Sequence, residues 1–203
     1  MPGTTPRRED GSGIQFGGDG ANAGYTLSAQ VFDDVFEIDR TLGRVRGYLC
    51  DGLLVSRLLA FQCPRAVRVD PWPDSVEGLT RLRRHFTITT LSNTGMAVAV
   101  AIVKHAHLPF DAVLTAELAK LHKPAPAVYQ LAVDYLGYRP DQILMVACHK
   151  YDLRAAGKFG MRTAFVARPL EFGPGVRPDI APESWIDSCV DSFTSLADRL
   201  GAV

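Results

Sequence analysis

Apolar residues follow two rhythms along the second half of the chain. Runs of strand length recur at Phe86 to Leu91, Ala112 to Leu114, Ile143 to Ala147 and Arg162 to Val166. Between them lie stretches of helical spacing or composition: Ser75 to Arg84, Met96 to His105, Pro124 to Leu136 and Leu153 to Phe159, the last closed by Gly160. In the first helix, Val76, Leu79 and Leu82 make the buried stripe, and Asp74 or Ser75 is the cap after the rigid DPWPD turn. Trp185-Ile186 reads as a short edge strand. Asp191 to Leu200 reads as a helix with Phe193, Leu196 and Leu200 on one face. Strands that alternate with helices in this way predict an α/β fold with a doubly wound parallel sheet.

The N-terminal third reads differently. Residues 1–24 hold seven of the eighteen glycines and show no periodicity, so they are expected as disordered or loop. The GGDGANAG run there lacks the Lys-Ser/Thr ending and the preceding strand of a phosphate loop. From Leu27 to Phe61, Val31, Val35, Ile38, Leu42, Val45 and Leu49 recur at three- and four-residue spacing. That spacing suggests one or two helices with Ser28 as N-cap, and a competing reading makes Arg44 to Cys50 a strand ending at Asp51. The expected organisation is therefore a helical cap-like segment at 25–64 and a core at 65–203.

Composition narrows the functions. Lysine plus arginine and aspartate plus glutamate both number 22, so no basic excess points to nucleic acid. No apolar run approaches membrane-spanning length, and the start of the chain has no secretory-signal pattern. Cys50, Cys63, Cys148 and Cys189 lack metal or redox spacing and read as free thiols in a reducing cytoplasm.

Candidate chemistry gathers after the strands. Ser92 with Asn93, Lys123, His149 and Asp152 fall at or soon after predicted strand ends, where open parallel sheets place their sites. Together they offer hydrogen-bond donors, a fixed cation, a carboxylate and a group that titrates near neutrality, which suits an anionic substrate. Taken singly, each has a plainer role. Ser92-Asn93 could cap the next helix, Lys123 could be a solvated loop residue, and Asp152 could be an N-cap. His85, His105, His107 and His122 read as surface residues or as residues with satisfied hydrogen bonds.

The segments LSN at 91–93, KPAPAVY at 123–129 and MVACHKYDLRAAGKFGMRTAFVARPLEFGP at 145–174 resemble the haloacid dehalogenase superfamily. DPWPDSVEGLTRLRRHF at 70–86 is similar to its type II haloacid dehalogenase family, and the likeness covers roughly residues 65–201. The resemblance implies a Rossmann-like core with a helical cap, here reduced or altered. It implies a hydrolase that removes halide from a small 2-halo acid through an aspartyl ester, leaving a 2-hydroxy acid, with no metal or cofactor. The implied partner is a small anionic organic acid, without nucleic acid or membrane, and with a homodimer as one assembly state. By position, Ser92 and Asn93 match the motif that holds a carboxylate, and Lys123 matches the lysine that neutralises the nucleophile. Asp152 matches the acid that pairs with that lysine. Tyr129 and His149 match substrate-side positions near them.

One motif is missing. The family's first strand ends in a nucleophilic aspartate before a Gly-Thr-Leu turn, and no FDxxGTL-like segment occurs in residues 1–70. Phe32-Asp33 and Asp51-Gly52 are partial imitations. Asp51 is the candidate nucleophile, although it precedes Ser92 by too little chain for a normal cap. Three functions follow: the dehalogenase, a catalytically dead scaffold or truncated product, and a Mg²⁺-dependent phosphatase, for which Asp152 alone makes a poor metal site. A lost central strand would cost stability comparable with that of a whole domain, ~5–15 kcal/mol, so something has to fill its place.

Overall fold

A computed structural model describes residues 26–29, 70–172 and 175–202. Six parallel strands form one sheet. In chain order they are β1 (Thr26–Ala29), β2 (Thr87–Ser92), β3 (Ala112–Thr115), β4 (Ile143–Ala147), β5 (Arg162–Val166) and β6 (Ser188–Val190). Their spatial order is β3-β2-β1-β4-β5-β6. Among the described residues, five α-helices accompany them: α1 (Ser75–Arg83), α2 (Met96–His105), α3 (Pro126–Leu136), α4 (Lys150–Phe159) and α5 (Phe193–Arg199). The doubly wound architecture read from the sequence is the one observed.

The period-2 geometry of a strand divides β4 between two cores. Leu144 and Val146 join Leu79, Leu82, Ile102 and Phe193 on the face covered by α1, α2 and α5. Ile143, Met145 and Ala147 join Tyr129, Leu131 and Leu153 on the face covered by α3 and α4. Both faces of β4 are therefore buried, which explains its unbroken apolar sequence.

The centre of the sheet corrects the sequence reading. Thr26–Ala29, expected to open a helical segment with Ser28 as N-cap, is instead a strand between β2 and β4. Thr26 pairs with Thr87 on one side and Ile143 on the other, and Ala29 pairs with Thr90 and Val146. The place of the motif strand is thus filled by TLSA, a segment without an acid. A four-residue strand with neighbours on both sides needs no amphipathic pattern of its own, so helical periodicity further on masked it. The expectations for residues 1–24, for the rest of 25–64 and for Asp51 lie outside the described residues.

Smaller corrections have local causes. Val76 is 37% exposed, and the buried stripe of α1 is Ser75, Gly78, Leu79 and Leu82. Gly78 is required there: a Cβ at that position would come within 2.5 Å of the Phe193 carbonyl carbon and 2.8 Å of the Thr194 nitrogen. Asp74 holds the N-cap position but makes no side-chain cap bond. Its carboxylate accepts two bonds from the Arg168 guanidinium, both 3.0 Å, and one from the Phe193 N–H at 2.7 Å. Arg168 is buried between the Trp72 and Phe193 rings. The last strand is Ser188–Val190 rather than Trp185-Ile186. Trp185 instead lies against the Arg154 guanidinium, with its indole N–H donating to Glu183.

Candidate active site

Parallel strands present their carboxyl ends on one rim, and the turns that leave β2 and β4, with the loop before α3, assemble a polar cluster there. Lys123 comes from that loop. Its Nζ lies 2.8 Å from Asp152 Oδ2, and the two side chains are 1% and 0% exposed. Lys123 is therefore not a solvated loop residue. Asp152 sits in the first turn of α4, whose N-cap is His149, so it is not a cap either. Its other oxygen, Oδ1, accepts the Tyr129 hydroxyl at 2.5 Å. Tyr129 thus stands beside the lysine through the carboxylate that the two share. Burial first, and then the Asp152 charge and hydrogen bond, hold the Tyr129 phenol well above the ordinary tyrosine range.

Asn93 locks the lysine from the other side. Its Oδ1 accepts the Lys123 backbone N–H at 2.7 Å, and its Nδ2 donates to the Lys123 carbonyl at 3.4 Å. Ser92 is buried next to it, and its Oγ accepts the Thr94 N–H at 3.0 Å, which leaves the hydroxyl proton to donate. Neither residue caps the following helix. α2 begins after Gly95, and its Met96 N–H is taken by Glu117 Oε2 at 2.7 Å. Ser92, Asn93, Lys123, Tyr129 and Asp152 thus form one contiguous set, drawn from segments spread over sixty residues of sequence.

His149 stands at the same rim with a different partner. Its Nε2 lies 2.6 Å from Glu171 Oε1, and the ring stacks on Tyr151 with centroids 5.4 Å apart. Glu171 was not foreseen. It follows β5 in an irregular connection, and only its place after a strand end could have flagged it. Thr115, level with Ser92 across the β2–β3 ladder, was also missed; its buried hydroxyl has no hydrogen-bond partner among the described residues. The other four histidines are exposed, as expected. Cys148 and Cys189 form no disulfide among the described residues. Among the described residues, no helix is long and apolar enough to cross a membrane.

A parallel α/β sheet with a buried lysine–carboxylate pair at its carboxyl rim is a Rossmann-like scaffold with polar groups gathered where such sheets place their sites. The haloacid dehalogenase-like hydrolase family model matches residues 65–166, half of the chain, and the chain belongs to that family. Its relatives there are dehalogenases of 2-halo acids. It is 35% identical to (S)-2-haloacid dehalogenase 4A of Burkholderia cepacia over 51% of this chain and 48% of that protein. It is 34% identical to the (S)-2-haloacid dehalogenase of Xanthobacter autotrophicus over 50% of this chain and 40% of that protein. The crystal structure of the L-2-haloacid dehalogenase PA0810 superposes with a TM-score of 0.66 at 37% identity, covering 77% of this chain and 66% of the other. The chain spans about half the length of the curated relatives it matches.

Proposed function

We propose that the chain is a hydrolase that removes halide from a small 2-halo acid. The observation that carries this reading is the buried Lys123–Asp152 pair, fixed by Asn93 on one side and Tyr129 on the other. A carboxylate attacks C2 of the substrate, the carbon–halogen bond breaks, and halide leaves as an aspartyl ester forms. Water then adds to the ester carbonyl and the ester bond breaks. This returns the carboxylate and releases the 2-hydroxy acid and one proton. In this scheme Lys123 offsets the charge of the attacking carboxylate, Asp152 holds the ammonium in place, and Ser92 donates to a carboxylate oxygen.

The nucleophile belongs just beyond the end of β1, because active residues of open sheets follow their strands. After Ala29 the sequence runs Gln30, Val31, Phe32, Asp33, so Asp33 is the first acid past the strand. It therefore takes precedence over Asp51. The thiols Cys148 and Cys189, unbridged among the described residues, suit a cytoplasmic setting.

Turnover of 2-chloropropionate by the purified chain in H₂¹⁸O tests the scheme. Halide should appear in solution, and ¹⁸O should enter one peptide, the one that carries Asp33. Lys123→Ala should abolish halide release; full activity in that variant would overturn the role of the pair. A second reading is favoured by the acid-free sequence of β1: a scaffold that binds anions without turning them over. No halide from any 2-halo acid, with chloroacetate still raising the melting temperature, would select it. A Mg²⁺-dependent phosphatase is the weaker reading, since both oxygens of Asp152 are already engaged by Lys123 and Tyr129.

A further inference from the structure

Cys148, His149 and Glu171 bring three different donor atoms together, and the proposed hydrolysis uses none of this combination. The thiol Sγ lies 3.5 Å from Glu171 Oε2, and His149 Nε2 lies 2.6 Å from Oε1 of the same carboxylate. All three donor atoms fall within 4.8 Å of one another. Cys148 is 8% exposed, and the side chains of His149 and Glu171 are 15% and 10% exposed. We propose that Cys148, His149 and Glu171 form a binding site for a zinc-class divalent cation at the rim of the sheet.

The geometry is close to what such an ion takes. Zinc bonds of about 2.3 Å to sulfur and about 2.0–2.2 Å to nitrogen and oxygen put tetrahedral ligands roughly 3.3–3.6 Å apart. The sulfur stands at a matching distance from Oε2 of Glu171, the imidazole would part from Oε1 by less than about 1 Å, and the sulfur and imidazole, which lie within 4.8 Å, would close to the same range. Thiolate, imidazole and carboxylate together select zinc and its neighbours over magnesium or calcium, which prefer oxygen alone. The charges also balance, because a thiolate and a carboxylate carry two negative charges against the ion's two positive ones.

Among the described residues, the two rim lysines are engaged by carboxylates other than Glu171. Lys123 has Asp152 at 2.8 Å, and Lys150 has Asp179 at 2.7 Å and Glu183 at 3.2 Å. On binding, the thiol proton leaves to solvent, and the proton held between His149 Nε2 and Glu171 either leaves with it or moves to Nδ1, which frees the Nε2 lone pair for the ion. Two ligands come from the turn between β4 and α4 and one from the connection after β5, so the ion ties two rim loops together.

Titration of the full chain with cobalt(II), a spectroscopic stand-in for zinc, tests the site. One equivalent should bind with a sulfur-to-cobalt charge-transfer band and tetrahedral d–d absorption, and zinc should displace it. Cys148→Ala should remove the charge-transfer band, and Glu171→Gln should weaken binding by about a hundredfold or more. A variant with Cys50, Cys63 and Cys189 all changed to serine should keep the band. In the unaltered chain, zinc should protect Cys148 from iodoacetamide, as read by peptide mass spectrometry, which requires no variant to fold. Absence of binding at micromolar metal, a cobalt spectrum without thiolate character, or unprotected Cys148 would each overturn the site and leave a purely hydrogen-bonded cluster. None of these readouts depends on dehalogenation, so the site stands or falls separately from it.

Discussion

Replacing Tyr129 by phenylalanine deletes one oxygen from the buried pair and little else. The Asp152 carboxylate then keeps Lys123 on Oδ2 and loses its donor on Oδ1, in a site with no solvent access. A hydrogen bond to a charged group contributes about 1.5–3 kcal/mol, so the variant should be less stable than the parent by roughly 2 kcal/mol at pH 8. That gap should depend on pH in one direction. Burial and the Asp152 charge keep the Tyr129 phenol protonated in the folded chain well beyond the ordinary range, whereas in the unfolded chain it ionises near pH ~10. Above that pH the folded state holds more protons than the unfolded state. The tyrosine's contribution is therefore complete below pH ~10 and falls by about 1.4 kcal/mol for each further pH unit. The phenylalanine variant lacks this loss, so the two stabilities should converge near pH ~11.5. Urea unfolding of both proteins from pH 8 to pH 11.5, followed by far-ultraviolet circular dichroism, measures the difference and cancels the other tyrosines and lysines. A gap that stays constant over this range would show that Tyr129 ionises as freely in the folded protein as out of it, and would refute the argument.

Two further perturbations probe the frame around the site. Arg168→Met should cost roughly 3 kcal/mol in urea unfolding, because it leaves the largely buried Asp74 carboxylate without its cation and with the Phe193 N–H as its remaining donor; unchanged stability would show the clamp to be idle. Gly78→Ala should lower the melting temperature in calorimetry although alanine is the better helix former. Overpacking against Phe193 costs about 1–3 kcal/mol, against a propensity gain of at most ~1 kcal/mol.

Much of this protein was legible because its strands are either unbroken apolar runs or β-branched runs closed by turn residues. Ile143–Ala147, Arg162–Val166 and Met96–His105 fall where periodicity placed them. Lys123, Asp152 and Asn93 were legible for another reason: each follows a strand or precedes a helix at motif spacing, and the fold brings such positions to one rim. β1 was hidden because four residues with TLSA composition carry no periodic signal, and the pattern of the following residues outweighed it. The direction in which a polar side chain turns was also beyond local sequence. Asp74 sits where a cap should be and spends its carboxylate on Arg168, 94 residues away. Glu171 is similar, since nothing near it in sequence announces its contact with His149.

The position of β1 also bears on how the chain assembles. Its two ladder neighbours begin roughly 60 and roughly 120 positions further along, so the innermost strand makes the most distant contacts in the sheet. Two half-sheets, β2 with β3 and β4 with β5 and β6, join shorter segments and have less loop-closure entropy to overcome. Until β1 docks between them, each half presents an open backbone edge that another molecule could extend. Maturation of this fold is then a matter of zipping two halves together with the strand that comes first of the six in the chain, and delay in that step is where self-association would begin.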